Sequence, residues 1–490
     1  MKSIIPLVLS AATVVKGVQR TYSAPLIDCE SLVAPEVEGA VTTSINATSV
    51  NATAASGYCA VEVYLTHGNS SDNVLILTWL PVSWNGRYQG TGGGGVVAGG
   101  SSSALIAPVA SGYAAGTTNA GLPNSADGSD WANNTQLVNN FAYLSVHEMT
   151  VVGKALVEQF YGKAPDYSYW NGCSTGGRQG HMEVQRYPTD YQGVYAASPA
   201  INYDRFQPAE LWPYVVQNVE GEFVPQCIFT ALTNAAIELC DIDDGAEDGL
   251  IVNPNTCGFD ANSLVGQAVN CSGNSTTITE RQAKIFNSIA HGPVGTEGNK
   301  LFSGLPLGSS LATIAGTTPV NLISAWVRAF VLHQPDFDLS TITYETFPQI
   351  FNLSVEEWHY RIGTSDPDLT PFQEAGGKLL SWHGFADSLI GGNGTVQYRI
   401  DVQDTLGGPD KVDEFYRLFM APGVEHCGGG YGATPSDPFD VLVAWVENGT
   451  APDTLPAAGN GLTRNLCRFP LQLEYSGTGD IDLAESWTCV

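Results

Sequence analysis

Five residues, Gly172-Cys173-Ser174-Thr175-Gly176, restrict this chain more than any other stretch. A serine between small residues at this spacing fits a strand that turns sharply into a helix, where a Cβ on either side would clash. Such an elbow pushes the Ser174 hydroxyl out of a sheet and towards substrate. The flanks agree: Tyr167 to Trp170 reads as the feeding strand, Gln179 to Tyr187 as the helix and Tyr191 to Ala196 as the next strand. Upstream, Val61 to Leu65, Asn73 to Leu80, Arg87 to Gln89 and Gly112 to Thr118 read as strands. Asn140 to Phe160 has apolar residues at helical spacing. Strand and helix therefore repeat as an α/β sheet requires.

After Tyr203 that rhythm is lost, and until about Ala375 the chain is irregular and rich in aromatic and polar residues, as expected of an inserted lid. The implied organisation is a signal peptide over 1–24, a core in two parts (25–204 and 376–490) and a lid over 205–375. The signal peptide rests on Lys2, the apolar run Ile4 to Val15 and the small residues Ser23 and Ala24. That run is too short to span a bilayer, and no later run of about twenty apolar residues follows. A secreted, soluble chain is expected, with no membrane partner.

Export gives the ten cysteines their meaning, since an even set without a Cys-x-x-Cys pair reads as disulfides. Sequons at Asn46, Asn51, Asn69, Asn133, Asn270, Asn274, Asn352, Asn393 and Asn448 suit the same route. A formal charge of −29, from 20 basic and 49 acidic residues, argues against a nucleic-acid partner. Monomer and homodimer both remain open.

An elbow serine needs a second backbone N–H from an earlier loop to hold an oxyanion. The run Gly90-Thr91-Gly92-Gly93-Gly94-Gly95 follows a strand and offers one, with Gly94 as the donor beside Thr175. A phosphate cradle would need a Gly-Lys-Ser/Thr ending that is absent; a flexible turn is the other reading. Late in the chain, Lys378 to Trp382 and Tyr416 to Met420 read as sheet strands. The first leads to His383-Gly384-Phe385-Ala386-Asp387 and the second to Glu425-His426-Cys427. The order Ser174, Asp387, His426 matches the α/β hydrolase triad, with His426 as base and Asp387 as its orienting acid. His383 as base and Glu425 as acid stay open. If Ser174 and His426 touch, Cys173 and Cys427 fall within bridging reach, and closing so long a loop stabilises by about 5 kcal/mol in the chain-entropy model.

Within the insertion, Asp241, Asp244 and Asp248, with the Ala246 and Leu250 carbonyls, could wrap a hard cation such as calcium or form a solvated acidic loop. Val252 occupies the place of an EF-hand glutamate, so the loop is of another kind.

Cys173-Ser174, Asp387 and His426-Cys427 together resemble the Cys-Ser, Asp, His-Cys signature of the tannase and feruloyl esterase family. The likeness extends over most of the chain from Tyr58 to Val490. It implies an α/β-hydrolase fold with a large lid, structural calcium on Asp241, Asp244, Ala246, Asp248 and Leu250, and disulfides Cys240–Cys257 and Cys467–Cys489. It also favours Cys29–Cys59 and leaves Cys227 with Cys271. The implied activity is a secreted serine carboxylesterase acting on small aromatic esters or feruloylated polysaccharide. Galloyl esters are second, and salicylate- or terephthalate-type esters third. An inactive glycoprotein that binds phenolics or polysaccharide is the contrasting class. Two departures bear on the pocket: Gly391-Gly392 replaces a common proline, and Gly93 stands where many members have asparagine. Phe206, Trp212, Tyr214 and Trp358 either stack on a substrate ring or fill the lid core.

Overall fold

The computed structural model describes residues 22–51, 57–68, 70 and 72–490. The apolar N-terminal run and the Asn69 sequon lie outside the described residues. Nine strands form the central sheet: β1 (Ala40–Val50), β2 (Tyr58–His67), β3 (Val74–Pro81), β4 (Arg87–Thr91), β5 (Ala114–Thr118), β6 (Tyr167–Cys173), β7 (Gly193–Ala197), β8 (Lys378–Gly384) and β9 (Tyr416–Ala421). Their spatial order is β1-β2-β3-β5-β4-β6-β7-β8-β9. Pairing is antiparallel from β1 to β5 and parallel from there to β9. This is an α/β-hydrolase fold. The central strands β4 and β5 are buried along their whole length, as expected where helices cover both faces of a parallel sheet.

Three elements differ from the sequence reading. Edge strand β1 was not expected, because its Thr-, Ser- and Asn-rich sequence has little apolar alternation. It is half exposed, and a bulge between Thr42 and Ser44 interrupts its pairing. The helix expected from Asn140 begins earlier, at Thr135, passes through a π-turn over Asn140–Leu144 and continues as α1, Ser145–Tyr161. Helix α2 (Thr175–Arg186) begins directly after the elbow, because Gly176 and Gly177 are helical here rather than part of a turn.

From Tyr203 to Glu374 no strand joins the sheet, and the only ladder among the described residues is the hairpin of Ala268–Cys271 with Asn274–Thr277. Helix α3 (Gln226–Cys240) belongs to this insertion, and α4 (Asn393–Leu406) follows β8. The insertion has no separate core. Its Phe206, Trp212, Ile228, Phe286, Trp326 and Trp358 share one buried cluster with Val96, Ala98, Trp131 and Phe141, from the loops after β4 and β5. Each large apolar side chain buried there contributes on the order of 2 kcal/mol, so the insertion is fastened over the end of the sheet where the elbow lies. Trp212 and Trp358 donate their indole N–H to Ser288 O and Phe330 O, as structural tryptophans do. Phe206 is buried with them, and Tyr214 is partly so.

The ten cysteines pair as Cys29–Cys59, Cys173–Cys427, Cys227–Cys271, Cys240–Cys257 and Cys467–Cys489. The asparagines of the described sequons are exposed, save Asn393, which is half-buried at the start of α4. No helix among the described residues is long and apolar enough to cross a membrane.

Candidate active site

Since β6 ends at Cys173 and α2 starts at Thr175, Ser174 alone makes the turn, at φ 62° and ψ −123°. Such a backbone costs on the order of 1 to 3 kcal/mol and persists only where the surroundings dictate it. Gly172 lets the turn close, for a Cβ there would lie 2.4 Å from the Gly176 carbonyl carbon. Ser174 stands at the N-cap of α2, yet its side chain caps nothing, so Oγ keeps its full hydrogen-bonding capacity.

The glycine loop after β4 is tied to α2. Gly176 N–H donates to Gly93 O (3.0 Å), Gly93 N–H to Gln179 Oε1 (3.0 Å), Gln179 Nε2 to Ala98 O (2.6 Å) and Thr175 Oγ1 to Gly95 O (2.6 Å). Sequence reasoning missed Gln179, whose signal is a buried polar residue on the helix facing that loop. Thr175 N–H, first in α2, has no intrahelical acceptor and is available to an oxyanion. Gly94 differs from its expected role: its N–H donates to Val97 O at 3.1 Å and closes a tight turn with Gly95 at φ 56°. That backbone donor is satisfied within its own loop.

The acid and base arrive from the ends of β8 and β9. Gly384 permits their loops to touch, since a Cβ there would lie 2.0 Å from Val424 O. Asp387 is fully buried and takes four donors. Oδ1 accepts from Leu389 and Ile390 N–H, both at 2.9 Å, while Oδ2 accepts from His426 Nδ1 (2.7 Å) and His383 Nε2 (3.1 Å). Burial alone would raise the Asp387 pKa, but the bonds from His383 and then His426 outweigh it and hold the carboxyl well below the usual range. His426 spends Nδ1 on this bond and leaves Nε2 open, with its side chain 20% exposed. Among the described residues no hydrogen bond joins Ser174 Oγ to that nitrogen; such resting gaps close when substrate binds. The alternatives fall away: His383 has 0% exposure and both nitrogens engaged, and Asp387, not Glu425, meets His426.

The Cys173–Cys427 bridge, with Cα atoms 6.0 Å apart, joins the residue before Ser174 to the residue after His426. Cys427 N–H also donates to Ser198 Oγ at 3.2 Å, which fixes the histidine loop to the end of β7. A cavity of about 260 Å³ lies between α3 residues such as Phe229 and Ile237 and the chain neighbours of the acid and base, Phe385, Ala386 and Glu425, while Ser174, Asp387 and His426 do not themselves line it.

In the acidic loop, Asp241 Oδ1 accepts from the N–H groups of Asp248, Gly249 and Leu250 at 2.9 to 3.2 Å. Asp248 pairs with Arg464 at 2.6 Å. Asp244 is buried with no ion-pair partner among the described residues, and burial, followed by the Asp248 and Asp241 charges, pushes it up to about 7. A buried carboxylate without a counterion, amid hard oxygen donors, fits a calcium-type ion. The tighter gathering of ligand atoms, within 4.8 Å at His147, Glu183 and Asp190, lies elsewhere, and there the Lys154 ammonium already donates to Asp190 O.

Residues 59–490 match the family model described as tannase and feruloyl esterase. A probable feruloyl esterase of Arthroderma benhamiae is 42% identical, over 94% of this chain and 93% of its own. The crystal structure of feruloyl esterase B from Aspergillus oryzae superposes with a TM-score of 0.81 at 30% identity, covering 93% of this chain and 98% of that one. The tannin acyl hydrolase of Aspergillus niger gives 0.81 at 26% identity, with 93% of each chain covered.

Proposed function

The chain belongs to the tannase and feruloyl esterase family and is a carboxylic ester hydrolase, and from that premise we propose that it cleaves feruloyl esters of plant cell-wall polysaccharide through Ser174, His426 and Asp387. Ser174 Oγ attacks the ester carbonyl carbon while His426 Nε2 takes its proton. The carbon–oxygen bond to the alcohol then breaks, and the same proton passes to the departing alkoxide. Water, deprotonated by His426, attacks the acyl-enzyme and releases ferulate and free Ser174. Thr175 N–H holds the oxyanion, and Gly94 N–H joins it once it leaves Val97 O. The observation that carries this reading is the Asp387–His426 pair with its second nitrogen open, bridged covalently to the residue beside a strained elbow serine.

Residues 205–375 act as a lid that bounds the substrate cavity, and the protein is secreted, with calcium bound by Asp241, Asp244, Asp248 and the Ala246 and Leu250 carbonyls. Calcium there neutralises the loop and holds its shape. Treatment with a chelator should lower the melting temperature by several degrees and release calcium detectable by elemental analysis; no release and no shift would remove the metal. For the reaction, wild type and Ser174→Ala are compared on methyl ferulate and methyl gallate. Wild type should hydrolyse ferulate faster than gallate, and Ser174→Ala should lose roughly 10⁴-fold or more. Equal, negligible rates for both proteins would sink the esterase mechanism. A preference for gallate would replace the feruloyl reading with tannase.

A further inference from the structure

His383 meets the same Asp387 oxygen, Oδ2, that the base uses. Its imidazole has 0% exposure and lies between three partners: Nδ1 is 2.8 Å from Thr395 Oγ1, while Nε2 is 2.7 Å from Ile390 O and 3.1 Å from Asp387 Oδ2. A carbonyl oxygen only accepts, so Nε2 carries a proton, and Nδ1 receives the Thr395 hydroxyl hydrogen. The ring is therefore a fixed donor that splits one N–H between the Ile390 carbonyl and the carboxylate. Ile390 N–H in turn donates to Asp387 Oδ1 at 2.9 Å. His383, Ile390 and Asp387 thus close a small ring of hydrogen bonds around the acid, and Thr395, in the first turn of α4, sets the orientation of that ring.

We propose that His383 is a positioning residue for the ester-cleaving triad: it fixes the Asp387 carboxylate so that Oδ2 presents its remaining lone pair to His426 Nδ1. The Leu389 and Ile390 N–H groups anchor Oδ1, but without His383 only His426 itself would hold Oδ2, and the 2.7 Å bond that selects the His426 tautomer would weaken. Among the described residues, two further titratable groups face the pair. His181 is buried and pushed down to about 4 by that burial, and Glu210 is pushed well above the usual carboxylate range by burial and by the Asp387 charge. Burial disfavours the charged form of each, which leaves Asp387 and its two histidines as the hydrogen-bonded unit.

This inference rests on the triad reading, and Ser174→Ala is run beside every variant so that the two fail separately. In His383→Leu, kcat on methyl ferulate should fall roughly 10- to 100-fold with KM within about twofold, an effect on the reacting geometry and not on binding. The acidic limb of the kcat/KM profile should move to higher pH, because an Asp387 charge no longer shared with a second donor holds a proton on the base more firmly. His383→Gln keeps a donor near the Nε2 position and should recover most of kcat and return the limb. Should His383→Leu fail to fold, Thr395→Val decides: it leaves the ring in place but frees its orientation, and a loss of about threefold to tenfold in kcat is expected. Wild-type kcat in these variants, or a loss that glutamine does not recover and that leaves the pH limb unmoved, overturns the proposal while Ser174→Ala still reports on the triad. If Ser174→Ala retains activity, the triad reading itself fails.

Discussion

Among the described residues, two buried histidine–carboxylate assemblies invert each other. At the active site one carboxylate, Asp387, sits between two histidines. Some distance along the sheet one histidine, His67, sits between two carboxylates, with Nδ1 2.6 Å from Asp72 and Nε2 2.6 Å from Glu148. The second assembly joins the β2–β3 hairpin to α1. Its imidazole is raised to about 9, chiefly by the Glu148 bond, so it is a cation at neutral pH and binds both neighbours. Asp72 is further held by His67 N–H, Thr66, Ser70 and Asn140, and lies well below the usual carboxylate range. His67 has no nitrogen left to give. His426 has one. Burial, a carboxylate partner and a short bond are common to both sites; the open nitrogen beside an elbow serine separates a base from a cross-link.

The sharpest way to break this contrast is to remove each histidine. His426→Ala should cut kcat by roughly 10⁴-fold or more while the melting temperature moves little, read by steady-state kinetics and calorimetry. His67→Leu should do the reverse. It leaves Asp72 and Glu148 buried without their cation, so the folded state should lose about 3 to 5 kcal/mol in urea titration, with kcat of the folded fraction within about twofold of wild type. Loss of activity without loss of stability in His67→Leu would erase the distinction.

The pH dependence of stability carries the next effect. The folded His67 value, about 9, lies above the ordinary 6.5, so its contribution is complete below pH 6.5 and is lost as pH rises through 9. Over that window wild type should lose on the order of 3 kcal/mol, and His67→Gln should show a much flatter profile. Asp72 acts with the opposite sign, and its contribution disappears as pH falls below the carboxylate range. The smallest change is Glu148→Gln, which keeps an acceptor but removes a charge; a loss of about 1 to 2 kcal/mol is expected, with a shallower slope above neutral pH. An unchanged slope would mean that Asp72 alone sets the charge of His67.

The triad assembly was legible in sequence because its members announce themselves in short runs: a serine among glycines, and a histidine and a serine each with an adjacent cysteine. The other assembly was not. His67 and Glu148 lie 81 positions apart, and neither occupies a distinctive local pattern. Strand β1 escaped notice for a related reason, since an exposed edge strand need not alternate apolar residues. The direction of the Gly94 N–H is a backbone matter that glycine content does not encode, and α2 began early because glycines that usually end helices pack here, Gly176 against the glycine loop and Gly172 of β6, and Gly177 against the end of β7. His383 was visible as a histidine near the acid, but its work depends on Thr395 and on the Ile390 carbonyl, which only folding brings together.

The Cys173–Cys427 bridge makes residues 173 to 427 a covalent macrocycle that contains the whole insertion and is closed at the nucleophile. Of the five disulfides, it alone crosses a cut made between 292 and 320, since the others lie wholly before or after that span. A protease that nicks the insertion there should yield two pieces that migrate together without reductant and separate with it. Ser174 and His426 would remain neighbours throughout, so a nicked molecule should keep its dyad even where its cavity has been opened.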